Sequence, residues 1–126
     1  MAREIFAHFT QTSRSFHSKD GRDNYFDSTI GPYEYLLGAL SGCWYSTLTD
    51  VIKDGITYDW CDIHVEGVKR EESPTTLKHT RLTVTVKNPS DFDAFRKACE
   101  ATCGYCSIFQ TIAKVSEMEL VVCQAE

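Results

Sequence analysis

Ile5, Ala7 and Phe9 alternate with Glu4, Phe6 and His8, a period of two that predicts a strand over residues 3–9. Lys19-Asp20-Gly21, flanked by Phe16 and by Tyr25-Phe26, predicts a turn within a hairpin over residues 13–27. Gly31-Pro32 ends that pattern. Proline suits the first turn of a helix, where its missing N–H is not needed. From there to Asp54, residues Leu36, Leu40, Cys43, Thr47, Leu48 and Val51 recur at spacings of three and four, and Leu37, Ala39 and Trp44 widen the stripe. The spacing predicts a long helix buried over more than half its circumference and closed by Gly55. Gly38, Ala39, Ser41 and Gly42 are small enough for another element to approach that helix closely.

Two further strands follow. Cys61, Ile63 and Val65 alternate with Asp62, His64 and Glu66, and Leu82, Val84 and Val86 alternate with Arg81, Thr83, Thr85 and Lys87. The charged segment of residues 69–76 reads as the loop between them. Asn88-Pro89-Ser90 stops the second strand, and Ser90 with Asp91 and Asp93 predicts a helix start. Phe92, Phe95, Cys99 and Thr102 share one face of that helix. Gly104 is expected to interrupt it, with a short helix from about Cys106 to Lys114 and a last strand carrying Met118, Leu120 and Val122. The class is α+β: a mostly antiparallel sheet packed on one long apolar helix, in a single domain over residues 1–126. A small sheet leaves much of such a helix uncovered, and a second copy of the chain would cover it, so a homodimer is expected.

Composition changes this picture little. The 126 residues are 42% hydrophobic and 25% charged, ordinary for a globular domain. The net charge of -5 and the lack of a basic run argue against nucleic acid as a partner. The mostly apolar run from Tyr35 to Thr49 is too short to cross a membrane, and the opening residues carry no signal-peptide pattern, so a cytoplasmic protein is expected. There is no glycine-rich phosphate loop and no G-x-S-x-G, and no cofactor is expected.

The candidate chemistry lies in six cysteines. A reducing compartment does not use them as a disulfide scaffold by default. Cys61 and Cys123 occupy strand positions and Cys99 the apolar face of a helix, where a thiol acts as a small buried hydrophobe. Cys43 lies on an apolar stripe, and burial there would raise its pKa unless donors or a cation stand near. Cys106 opens a helix, where free N–H groups favour a thiolate. Cys103-Gly-Tyr-Cys106 is a C-x-x-C, the spacing of a thiol–disulfide oxidoreductase, though it follows a helix and not the first strand of a βαβ unit. A zinc site from Cys43, Cys103, Cys106 and one histidine lacks the usual ligand spacing. If the fold brings Cys43 and Cys106 together, one thiolate can attack an oxidant and the other can close a disulfide on it.

The run from Gly31 to Cys43, GPYEYLLGALSGC, resembles the central-helix signature of the OsmC and organic hydroperoxide resistance superfamily. Tyr105-Cys106-Ser107-Ile108 resembles its second signature, a cysteine opening a late helix. The resemblance covers nearly the whole chain. It implies an intertwined homodimer with an active site built from both subunits. It implies a stress-response peroxidase in which Cys43 attacks an organic hydroperoxide, Cys106 resolves the sulfenic acid, and a dithiol such as a lipoylated protein re-reduces the pair. It also implies a carboxylate and an arginine acting on the thiolate. Glu34 is the carboxylate to consider, although Tyr33 directly follows Pro32 and one place is about 100° of helix rotation. Arg22 is the candidate cation, with Arg14 the other candidate. Leu40, Trp44 and Phe109 would supply apolar walls suited to an organic peroxide. The GPYE form is closer to the OsmC-like branches, for which a non-catalytic small-molecule binding protein is the alternative.

Overall fold

The early alternation becomes a three-stranded antiparallel sheet of β1 (Phe6–Phe9), β2 (Arg14–His17) and β3 (Asn24–Tyr25), in that order. The computed structural model describes residues 2–53 and 55–126. β1 is shorter than the sequence pattern predicts: Ile5 lies outside the strand and is exposed. The hairpin turn falls where expected, with the Gly21 N–H donating to the Ser18 carbonyl at 3.1 Å. Phe16, Phe26 and Tyr35 pack against one another with ring centroids 5.2–5.3 Å apart, in edge-on and tilted contacts that aromatic quadrupoles favour. The chain forms two compact units, residues 1–36 and 37–126.

Helix α1 (Pro32–Ile52) begins in the first unit, and its start is built by local bonds. The Asp27 carboxylate accepts from the Thr29 hydroxyl and from the N–H groups of Thr29 and Ile30. Those bonds hold its pKa below the usual carboxylate value. The Gly31 N–H then donates to the Glu34 carboxylate at 2.7 Å, one half of a capping box. At the far end Lys53, not a glycine, takes the left-handed conformation (φ 54°), while the Gly55 N–H closes on the Ile52 carbonyl.

The second unit carries the larger sheet. β4 (Trp60–Lys69) pairs antiparallel with β5 (Leu77–Lys87), and β5 pairs parallel with β6 (Glu117–Gln124). The last strand is parallel because two helices carry the chain back across the sheet before it, the kind of connection a parallel pair requires. β5 is central: Leu82 lies between Val65 and Leu120, and Val84 between Ile63 and Val122. The predicted alternation is seen in its burial, since Leu82, Val84 and Val86 are wholly enclosed. Thr80 is enclosed on the same face and satisfies its hydroxyl with Ser116 at 2.9 Å. Gly67 in β4 makes room for α1, because a Cβ there would meet Leu77 at 2.8 Å and Leu37 at 3.3 Å.

α2 (Phe92–Tyr105) and α3 (Ser107–Ala113) complete the unit. Phe95, Cys99 and Thr102 form the buried face of α2, as their spacing predicts. Two local expectations change. The N-cap is Asp91, whose carboxylate accepts from the Ala94 N–H at 3.0 Å, while Ser90 accepts instead from the Thr57 N–H. Gly104 stays inside α2, and the break comes at Cys106, which takes an extended conformation between the two helices. The burial of α1 is also narrower than expected. Its enclosed residues are Leu40, Trp44, Leu48 and Ile52, a single i, i+4 row, whereas Leu36, Gly38, Ala39 and Gly42 are exposed. A Cβ on Gly38 or Gly42 would meet nothing within 4 Å.

Leu82→Ala is expected to lower stability by about 3 kcal/mol, because it opens a cavity at the centre of the sheet. Arg81→Ala, which removes only the exposed ion pair with Glu66, should change it by no more than about 0.5 kcal/mol. Urea unfolding of both variants checks the contrast.

Candidate active site

Trp44 is part of the enclosed row of α1, and one residue earlier the helix turns Cys43 about 100° toward a half-buried position. Cys106 reaches the same place from another element. As N-cap of α3 its sulfur accepts from the Phe109 N–H at 3.4 Å, the role a serine oxygen usually fills. The side chain of Cys106 is 0% exposed. The two sulfurs are 3.4 Å apart, with the Cys106 S–H donating to Cys43. Both thiols are free. A disulfide, at about 2.05 Å between sulfurs, needs an approach of only about 1.4 Å more.

The first turn of α3 divides its donors between the two sulfurs. The Ile108 N–H is the main influence holding the Cys43 thiol below its ordinary pKa. Burial opposes it, and the Cys106 S–H, the Ser107 hydroxyl at 3.8 Å and the Ser107 N–H reinforce it. Among the described residues no positively charged side chain contributes to this lowering. Cys106 moves the other way. Burial raises its pKa, the Phe109 and Ile108 N–H groups only partly offset that, and the neighbouring Cys43 raises it further. The sequence places Cys106 as the better thiolate, since it opens the helix. The structure reverses that preference, because Cys43 lies across the N–H groups while Cys106 is enclosed.

The other thiols differ by environment. Burial pushes Cys61 up to about 11 and Cys99 to about 12, so both stay protonated at neutral pH. Cys123, expected as a buried hydrophobe, is exposed near the end of β6. Cys103 is half-buried and also raised by burial, against which the Trp44 indole N–H favours its thiolate. That N–H comes close to Cys103 without reaching hydrogen-bond geometry, and it is enclosed with no partner among the described residues. Leaving such a donor unpaired costs about 1–3 kcal/mol. Leu40, Trp44 and Phe109 belong to the enclosed core.

Glu34 and Arg22 lie in the first unit, whereas the cysteine pair lies in the second. Glu34 binds the Gly31 N–H at the start of α1. Arg22 is exposed in the β2–β3 hairpin, where its carbonyl accepts from the Asn24 side chain. Among the described residues no group of three or more histidine, cysteine or acidic side chains is placed to hold a metal ion. None of their helices is long and apolar enough to cross a membrane. Ser107 and the Ile108 N–H are the site groups that sequence reasoning passes over. Their position directly after a helix-opening cysteine is a usable signal for free donors, although it does not say which sulfur receives them.

The family model for OsmC-like proteins matches residues 25–121. The chain belongs to the OsmC-like family. Its fold is similar to that of an OsmC-like protein from Mycoplasma pneumoniae, with a TM-score of 0.87 at 16% identity over 100% of this chain and 99% of that one. It is similar to the organic hydroperoxide resistance protein OhrB of Bacillus subtilis, with a TM-score of 0.71 at 17% identity over 97% of this chain and 98% of that one. An organic hydroperoxide resistance protein from Elizabethkingia anophelis gives 0.73 at 15% identity over 99% and 97%. No curated protein matches the sequence. At these identities the solved structures speak for the fold of this OsmC-like chain.

Alkylation by iodoacetamide should separate the two thiols. A thiolate fraction rises as pH climbs through the pKa, so Cys43 modification should reach its plateau at lower pH than an ordinary thiol (about 8.5), and Cys106 at higher pH. Ser107→Ala removes a donor to the thiolate and should shift the Cys43 curve to higher pH. Mass spectrometry of each peptide across pH 5–10 (roughly the span of ordinary thiol titration) would read both effects.

Proposed function

We propose that this OsmC-like protein is a thiol peroxidase that reduces organic hydroperoxides. The observation that carries this reading is the meeting of two free sulfurs at 3.4 Å, one favoured as thiolate and the other held protonated and donating to it. The Cys43 thiolate attacks the terminal peroxide oxygen. The O–O bond breaks, and the alkoxide takes a proton and leaves as alcohol, with Cys43 oxidised to sulfenic acid. Cys106 then attacks the Cys43 sulfur, water leaves, and a disulfide joins the two. An external dithiol of the lipoyl type reopens it by thiol–disulfide exchange, ending as a disulfide itself.

A homodimer in a reducing cytoplasm is part of this proposal. The exposed small residues Gly38, Ala39 and Gly42 on α1 support it, as does the depression of about 310 Å³ lined by Ser41, Gly42, Tyr45, Cys61, Asp62 and Ile63. A second copy would also supply the walls of a substrate pocket that Leu40 and Trp44, enclosed in their own chain, do not form. Glu34 and Arg22 keep in this reading the roles the resemblance implies. Glu34→Gln and Arg22→Ala would then each slow sulfenic acid formation, and an unchanged rate would remove them from the mechanism.

The direct test is turnover of cumene hydroperoxide with a dithiol reductant. Cys43→Ser is expected to fall by at least about 10³-fold, as loss of a nucleophile does. Cys106→Ser should consume one equivalent of peroxide and then stall as sulfenic acid. Equal turnover by wild type and Cys43→Ser would defeat the proposal and leave a passive binding role.

A further inference from the structure

The peroxidase cycle uses Cys106 and leaves its C-x-x-C partner, Cys103, without a task. Three observations tie Cys103 to the site. First, the Cys106 N–H still closes a helical bond on the Thr102 carbonyl at 2.9 Å, so Cys103 and Cys106 lie on one turn. Side chains three apart share a face there, with Cβ atoms about 5–6 Å apart, so a bridge of about 4 Å between Cβ atoms needs a further approach of about 1–2 Å. The extended conformation of Cys106 marks the joint where the small remaining adjustment can occur. Second, the enclosed Trp44 N–H stands beside Cys103 without a partner, and a thiolate on Cys103 would give it an acceptor. Third, Cys106 is fully enclosed, whereas Cys103 is half-buried and followed by exposed Gly104 and by Tyr105 at 75% exposure. A reductant in solution meets Cys103 before Cys106.

We propose that Cys103 is a third redox cysteine, which takes the disulfide over from Cys43. Cys103 releases its proton to solvent and attacks the Cys106 sulfur of the Cys43–Cys106 bridge. The Cys103–Cys106 bond forms as the Cys43–Cys106 bond breaks, and the electron pair departs on Cys43. The number of disulfides is unchanged and no outside oxidant or reductant enters. Cys43 is the better leaving group because the Ile108 N–H supports its thiolate, and a stabilised thiolate leaves faster. Cys43 is thereby returned to its attacking form while the oxidising equivalent is held on the Cys103–Cys106 bridge. An external dithiol then attacks Cys103, restoring two thiols and becoming a disulfide. The origin of the first bridge rests on the peroxidase reading; the exchange does not depend on which oxidant made it.

The test maps disulfides over time in the full chain. The reduced protein receives one equivalent of diamide in one arm and of cumene hydroperoxide in the other. Samples are quenched in acid, alkylated, and each bridge is located by mass spectrometry. The expected course in the diamide arm is an early Cys43–Cys106 bridge that declines while Cys103–Cys106 grows to exceed it several-fold. Trp44→Phe, which keeps the ring and removes the N–H, should slow that transfer several-fold without slowing the first bridge. A Cys43–Cys106 bridge that persists with Cys103 fully alkylated would overturn the proposal. So would a Cys103–Cys106 bridge present from the first sample with no Cys43 bridge before it. If the exchange proceeds after diamide while peroxide forms no bridge at all, the relay stands and the peroxidase reading falls.

Discussion

The first turn of α3 governs how the Cys43–Cys106 pair is held. Its N–H groups have no helical partners of their own, and two sulfurs from different elements take them up. Phe109 serves Cys106 as a cap, and Ile108 serves Cys43 across the gap between helices. One set of backbone dipoles thus both starts a helix and lowers the pKa of the Cys43 thiol. The S–H of Cys106 then has one natural acceptor, the sulfur of Cys43, and the two are held where little motion separates contact from a bond.

That arrangement depends on two rigid supports. The enclosed row of Leu40, Trp44, Leu48 and Ile52 fixes the rotation of α1, so Cys43 must face sideways toward α3. The buried face of α2, with Phe95, Cys99 and Thr102, fixes where that helix ends, and the change of direction at Cys106 points its sulfur inward. The central strand of the larger sheet is enclosed at every second residue from Thr80 to Val86. A shift of one residue in either helix would turn its cysteine by about 100° and part the sulfurs.

Environment, not residue type, sorts the thiols. Cys61 and Cys99 are driven toward the neutral form chiefly by burial, reinforced by neighbouring negative charge, Asp62 for Cys61 and Glu100 among others for Cys99. Cys43 suffers less burial and gains several donors, so it moves the other way. Cys103 stands between these cases, enclosed enough to be protonated at rest yet next to the unused Trp44 N–H.

Much of this was legible in the chain. Alternation located the strands around Cys61–Val65 and Leu82–Val86, and the spacing from Leu36 to Val51 located the long helix, because these signals are local and periodic. The two cysteine signatures, local in the same way, named two residues that the fold brings to 3.4 Å. Local pattern failed where two neighbours compete for one role, as at Ser90 and Asp91, or where coverage was assumed, as on the outer face of α1. The ionisation of the pair lay outside its reach altogether. A sequence shows that Cys106 begins a helix, but the donors of that helix act through space, and only the packed fold shows that they reach Cys43 as well as Cys106, while Cys106 is sealed from water.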